Sequence, residues 1–350
     1  VYHSGSWLIG TVQQTMREGD DGGDQGMVHL IDTQSHGQLE LELNRANHAP
    51  ALFANSSTME RAKLAYAIGL KEKHAFIYDL FSGQKLDTRT QTARLQFREA
   101  KRAAKLFDRD ADADSEEYQR ARSASQAQTS TTTAGANASE VLQTMLGQEN
   151  RAAGHLVRYL LLVLGPAASG KTTLLKTLVM EIVHRYTDFV PILIPVIEVL
   201  PVLDKCDREQ GESVVVAFVQ RKYPQHAHLL LQMMLMHRAV FLVDGIDESG
   251  SRRDDVQSFI AVELLEPGHK TVITSRYSGF SRDAFSQCQR VELLPLSAWQ
   301  QAEMVRTRVP DDEKAKRLVE ELRSPTCKAI ASNPLMLTMM ISVYVSNAFV

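Results

Sequence analysis

The sequence predicts an α/β fold: a five-stranded parallel sheet flanked by helices, followed by a helical subdomain and preceded by a small α+β region. Three observations predict it. An apolar run, Tyr159–Leu164, leads directly into Gly165-Pro-Ala-Ala-Ser-Gly-Lys-Thr172, and an amphipathic stretch, Thr172–His184, leads out. A second apolar run, Ala239–Val243, ends in the acids of Asp244-Gly-Ile-Asp-Glu248. Runs apolar throughout belong to strands covered on both faces, as parallel sheets require.

The first of these runs organises the chain. Gly165, Gly170, Lys171 and Thr172 fall at the spacing G-x-x-x-x-G-K-[ST]. Such a loop wraps backbone N–H groups around phosphate oxygens, and glycine permits both the backbone angles and the close approach. The helix beginning near Gly170 directs its unpaired N–H groups and positive dipole end at the same anion. The phosphate-contacting residues are therefore Gly165, Pro166, Ala167, Ala168, Ser169, Gly170, Lys171, Thr172 and Thr173. Lys171 supplies an ammonium for the β- and γ-phosphates, and the Thr172 hydroxyl is a Mg²⁺ ligand.

The N-terminal 107 residues show less pattern. Met27–Asp32 and Leu39–Leu43 flank Ser35-His36-Gly37, and the second run alternates Leu39, Leu41 and Leu43 with Glu40 and Glu42, as a half-buried strand does. Thr58–Leu70 has a helical pattern, and Ala75–Leu80 with Gln84–Thr88 reads as a hairpin about Ser82-Gly83. Gln91–Phe107, rich in Arg, Lys and Ala, reads as a solvated connector helix. The Ser/Thr/Ala/Gln-rich stretch after the acidic run Asp108–Glu117 cannot bury enough surface to offset its ordering entropy. The expected division is thus an α+β region over 1–107, a flexible linker over 108–138, a nucleotide-binding domain over 139–296 and a truncated helical subdomain over 297–350.

Within the third segment Ser139–Gly147 reads as a lead-in helix capped by Ser139. Phe189–Val199 is a strand that Pro191 and Pro195 make an edge or irregular one. Glu212–His237 is helical in pattern. Asp244 stands at the carboxyl end of its strand, where ligands bind in open α/β sheets, and its carboxylate suits Mg²⁺. Asp247 and Glu248 are placed to polarise an attacking water, and which of them is the base stays open. Lys270–Arg276 is a third strand; lying between the other two, it would bring Thr274, Ser275 and Arg276 beside the γ-phosphate. Arg290–Leu293 is the fifth strand. Ala298–Thr307, Asp311–Leu322 and Cys327–Ile341 are helical, the last interrupted at Asn333-Pro334-Leu335.

Composition bounds the partners. A net charge of −3 gives no basis for nucleic-acid binding by bulk electrostatics. The three cysteines, Cys206, Cys288 and Cys327, form no C-x-x-C pair, which excludes a zinc site or disulfide framework of that kind and fits a reducing, cytoplasmic compartment. The apolar run Ile330–Val350 contains Asn333, Pro334 and Asn347, so a buried helix is expected there rather than a membrane span. A start at Val1 and an end within a helical pattern suggest a fragment of a longer protein.

The phosphate loop, Leu242-Val-Asp-Gly-Ile-Asp-Glu248, Thr274-Ser-Arg276 and Asn333-Pro334-Leu335 occur in the order seen in the NACHT family of signalling P-loop NTPases, which this sequence resembles over about residues 155–350. That family belongs to the STAND group, with the plant resistance and apoptosome ATPases. The resemblance implies ATP and Mg²⁺ as ligands, Asp244 and Thr172 at the metal, Asp247 and Glu248 in hydrolysis, Arg276 as γ-phosphate sensor and Pro334 against the adenine. It implies a slow, nucleotide-dependent switch that controls homo-oligomerisation in signalling of the innate-immunity kind, with a partner the sequence does not identify. Ala167-Ala168 departs from the glycine and acid of many members but leaves the cradle intact. The competing functional class is a turnover ATPase performing mechanical or transport work. A P-loop kinase is disfavoured, because no lid or acceptor site is evident.

Overall fold

The computed structural model describes residues 2–3, 6–7, 10–17, 27–33, 37–42, 52–53, 56–79, 83, 85–88, 95–99, 136–147, 160–207, 210–281, 285 and 288–347. In chain order the strands and helices are β1 (Tyr2–His3), β2 (Ser6–Trp7), β3 (Gly10–Arg17), β4 (Met27–Thr33), β5 (Gly37–Glu42), α1 (Ser56–His74), β6 (Phe76–Tyr78), β7 (Lys85–Asp87), β8 (Gln96–Glu99), β9 (Ala136–Asn137) and α2 (Ala138–Gly147). There follow β10 (Leu160–Leu164), α3 (Lys171–Arg185), β11 (Val190–Pro195), α4 (Val196–Leu203), α5 (Val214–Lys222), α6 (Ala227–Leu235) and β12 (Ala239–Asp244). The last are α7 (Arg253–Phe259), β13 (Lys270–Ser275), β14 (Gln289–Leu293), α8 (Ala298–Arg308), α9 (Asp312–Glu321), α10 (Pro325–Ala331) and α11 (Pro334–Asn347).

The central sheet runs β11-β12-β13-β10-β14-β8-β9. The first five strands are parallel, as predicted, with Leu242 opposite Val272, Leu162 opposite Ile273 and Val163 opposite Val291. Their apolar residues are buried, Leu161–Leu164 and Ala239–Val243 throughout, because helices cover both faces. β13 lies between β10 and β12, so both motif-bearing strands end beside it. β11 takes the edge that Pro191 and Pro195 require, since proline cannot donate to a neighbouring strand.

The sheet is wider than expected. Gln96–Glu99 is a strand and not part of a connector helix: it pairs antiparallel with β14, through Val291↔Glu99, Glu292↔Arg98 and Leu293↔Phe97, and β9 pairs with it in turn. Leu95 and Phe97 are buried while Gln96 and Arg98 are exposed, a period of two that outweighs the helix propensity of the surrounding Arg, Lys and Ala. Arg98 also meets Glu292 at 2.8 Å. The rest of the proposed 108–138 linker, apart from residues 136–138, lies outside the described residues.

Other boundaries moved for local reasons. The strand expected to reach Val199 stops at Pro195, and Val196–Leu203 is helical. The Glu212–His237 pattern is two helices, the first capped by the Ser213 hydroxyl. Glu263, carried by a π-helical turn (Ile260–Leu265), also accepts from Val214 and Val215 N–H at that helix start. Ser139 lies inside α2, which begins at Ala138.

In the N-terminal region β4 and β5 form the expected antiparallel pair, and β3, unforeseen because its Thr-Val-Gln-Gln-Thr run hides an apolar face, adds to β4. α1 packs on the central sheet: Tyr66 Oη donates to Pro191 O at 2.7 Å, and the ring stands edge-on to Tyr223. β6 and β7 make the predicted hairpin, with Gly83 at φ 67° in its turn. At the C-terminal end Ser297 and Gln300 form a capping box for α8. α10 and α11 break at Ser332-Asn333 with a 116° bend, and Pro334 starts the second helix. Among the described residues no single helix is long and apolar enough to cross a membrane.

Candidate functional site

The loop after β10 is held by contacts within the chain. Gly165 N–H donates to Ser275 O at 3.2 Å, tying the loop to the end of β13. A Cβ at Gly165 would lie 2.6 Å from Ser169 Oγ, and one at Gly170 would lie 3.1 Å from Leu95 Cδ1. Gly170, at φ 90°, is also the residue that turns the chain into α3. Ala168 holds φ 60° without being glycine. Lys171 Nζ donates to Gly165 O and Pro166 O, each at 2.8 Å, so the ammonium lies across the loop. Ser169 Oγ is buried with no hydrogen-bond partner. Buried hydroxyls normally find one, and an anion oxygen in the cradle would supply it. These features fit a nucleotide's phosphates.

The acids stand one strand away. Thr274 Oγ1, fully buried, donates to Asp244 Oδ1 at 2.7 Å and accepts from Gly245 N–H at 2.9 Å, which fixes the carboxylate at the end of β12. Gly245, at φ 76°, turns the chain into a 3₁₀ helix (Ile246–Arg252) whose first turn carries Asp247 and Glu248. Asp247 is gripped twice by one residue: Arg276 N–H donates to Oδ1 at 3.1 Å and Arg276 Nε lies 3.0 Å from Oδ2. Gly279 closes behind it, and a Cβ there would lie 2.3 Å from Asp247 Cβ.

Charge is crowded here. Burial raises the Glu248 carboxyl above its ordinary pKa, and the neighbouring Asp244 and Asp247 raise it further. Burial lowers the Lys171 ammonium, against the opposing pull of Asp247. Asp244, Asp247 and Glu248 face Lys171 and Arg276, an excess of one negative charge. Among the described residues no three His, Cys, Asp or Glu side chains could hold a metal by themselves. Mg²⁺ would therefore rest on Asp244 and Thr172 together with the nucleotide's own oxygens.

The start of α11 meets the loop. Asn333 Oδ1 accepts from Leu335 N–H at 2.9 Å and Met336 N–H at 3.3 Å, capping the helix, while Nδ2 reaches Ala167 O at 3.5 Å. Pro334 Cγ would lie 3.8 Å from a Cβ at Gly170. The structure thus gathers every predicted site residue, Gly165 to Thr173, Asp244, Asp247, Glu248, Arg276 and Pro334, around one loop. Sequence reasoning missed Asn333, Gly279 and Leu95. An Asn directly before Pro at a helix start is a capping signal, and it was available.

Residues 159–312 match the family model of the NACHT domain. The chain carries a NACHT domain. NACHT domains are P-loop NTPases, so residues 159–312 are a nucleotide-binding domain. Among solved structures, domain III of the Thermotoga maritima replication initiation protein DnaA is 15% identical with a TM-score of 0.40, covering 61% of this chain and 83% of its own. C. elegans PCH-2 is 16% identical with a TM-score of 0.36, covering 60% of this chain and 67% of its own. Likenesses of that size do not bear on function. No curated protein matches the chain.

Proposed function

We propose that this NACHT chain is an ATP- and Mg²⁺-dependent switch of the STAND kind, with slow hydrolysis, that controls self-association of a larger signalling protein. The observation that carries the reading is the double contact of Arg276 with Asp247. The guanidinium placed to sense a γ-phosphate is held by an acid of the hydrolytic motif. A γ-phosphate competes with Asp247 for that guanidinium and a β-phosphate end does not, so ATP and ADP engage different contacts. Differential contact is what a nucleotide needs to shift a conformational equilibrium.

The same geometry supports distinct roles for this chain's acids. Asp247 is engaged by Arg276, whereas Glu248, with its raised pKa, is the better proton acceptor for a water at the phosphate end. Asp244, oriented by Thr274, and Thr172 would hold Mg²⁺, which when bound would neutralise phosphate charge. Lys171 leaves its two loop carbonyls for the phosphates. A second reading, a turnover ATPase doing mechanical or transport work, is favoured by one specific feature: both acids of the hydrolytic pair stand intact at the strand end.

Single-turnover hydrolysis measured beside the oligomer size distribution tests this. Glu248→Gln should slow hydrolysis about 10²–10⁴-fold with ATP still bound, and should prolong the assembled state. Asp247→Asn should instead release Arg276 and disturb the ATP/ADP preference. Slowed hydrolysis with no change in assembly would favour the turnover enzyme. Near-wild-type rates in both variants would remove these acids from the mechanism.

A further inference from the structure

The helix that touches the phosphate loop is also tied, at its other half, to the N-terminal hairpin. Asp79, immediately after β6, is 6% exposed, and its carboxylate accepts from Ser342 Oγ. Ser342 Oγ lies 2.9 Å from Thr338 O, and Thr338 Oγ1 donates to Pro334 O at 2.9 Å. Pro334, Thr338 and Ser342 are four residues apart, so they stack along one face of α11. Ser342 Oγ has one proton and donates it to Asp79, so the column from Asp79 to the proline beside Gly170 is carried by the α11 backbone and by the Thr338–Pro334 bond. Arg308 of α8 braces its middle, with Nη1 donating to Thr338 Oγ1 at 2.9 Å. At the near end Asn333 reaches Ala167 O. Because a buried carboxylate is strongly disfavoured without partners, Asp79 makes a stiff anchor rather than an incidental one.

We propose that Asp79 is a positioning residue for the nucleotide site: through α11 it sets how firmly Asn333 and Pro334 are held against the phosphate loop, which gives the N-terminal region a hold on nucleotide affinity. The inference rests on the nucleotide-site reading above. Asp79 does not reach the loop, since Ser342 and Asn333 are separated by about 14 Å of helix. Any energetic link between Asp79 and Asn333 must then be carried by α11.

The test is a double-mutant cycle on the full chain, with MgATP affinity read by calorimetry and folding checked by thermal melting. Asp79→Ala and Asn333→Ala should each weaken ATP about five- to tenfold, the range of one net hydrogen bond. The double variant should be within twofold of the weaker single, because a helix already released has nothing left to transmit. Losses that multiply in the double variant, or an unchanged affinity in either single, would overturn the proposal. A role confined to pinning down the hairpin would lower the melting temperature without producing that coupling. Should Asp79→Ala fail to fold, Ser342→Ala removes the same contact from the helix side under the same criteria. Lys171→Ala run in parallel separates the two levels. If it binds ATP like wild type, the site reading itself falls and this inference with it; if it does not, an additive cycle overturns the inference alone.

Discussion

The two ends of the parallel sheet are built from the same apolar strands and treat charge in opposite ways. At the amino ends, His237 and His269 precede β12 and β13 with their rings 5.3 Å apart and tilted by 37°, and Phe241 lies 5.1 Å from the His269 ring. Arg238 and Lys270 sit over Phe189 at 4.9 and 5.3 Å. Burial, helped by His237 and Lys270, pushes His269 down to about 4, so the ring is neutral and behaves as core. At the carboxyl ends, Asp244, Asp247 and Glu248 crowd together and the pressure on Glu248 is left standing. The backbone repeats the contrast. His237, at φ 54°, is explained by the end of α6, where its N–H donates to Met234 O at 3.0 Å. Ala168, at φ 60°, has only the phosphate loop to explain it. The amino end keeps its buried rings neutral, with His269 Nδ1 unpartnered, whereas the carboxyl end keeps charge.

Three changes would break or sharpen this contrast. The largest effect is expected from Gly279→Ala. Its Cβ would fall 2.3 Å from Asp247 Cβ and 2.8 Å from Asp247 Cα, so the acidic turn has to move bodily. Stability should fall by about 1–3 kcal/mol, and hydrolysis should be lost while the phosphate loop still binds nucleotide. Full hydrolysis in the folded variant would mean that the turn need not be held.

Two buried histidines, His269 at the amino end of the sheet and His74 at the end of α1, answer to pH. His269 and His74 are both held near 4, each chiefly by burial. The unfolded chain takes up protons below about 6.5 and the folded chain does not. Stability should therefore fall as pH drops from 7 to 5 and level off below about 4, each ring contributing on the order of 1–2 kcal/mol across that span. Denaturant midpoints at pH 7 and pH 5 read this directly, and His269→Leu should flatten the dependence. A dependence that His269→Leu leaves unaltered would place the effect elsewhere. The smallest change is Ala168→Gly, which removes the side chain from a left-handed position and should raise stability by about 0.5 kcal/mol, net of glycine's greater unfolded entropy. Stability unchanged or lowered would show that the loop does not strain Ala168.

What the sequence revealed and what it hid divide along contact range. The phosphate loop, the strand ending at Asp244, the edge position of β11 and the helix start at Pro334 follow from local rules: apolar runs, glycine spacing, and proline's missing donor. β8 did not follow. Its partner β14 lies almost two hundred residues away, and Arg and Lys on either side advertise a helix. The alternation of Leu95 and Phe97 with Gln96 and Arg98 was visible but only four residues long. The pairing of Arg276 with Asp247 was hidden for the same reason, since it depends on two strands lying side by side. The column from Asp79 to Pro334 joins segments whose separate patterns say nothing of each other.

β8 also carries a warning about dissection. It occupies the outer side of β14, where Val291 and Leu293 are buried strand residues. A fragment beginning at the lead-in helix, residues 139–350, would keep the whole phosphate loop and every acid of the site yet strip that strand away. The bared rim of β14 would offer unpaired N–H and C=O groups to any chain that met it, including another copy of itself. Gly170 would lose Leu95 in the same cut. Such a fragment should clump through sheet edges whether or not ATP is added, and its assembly would report on exposed backbone rather than on the nucleotide.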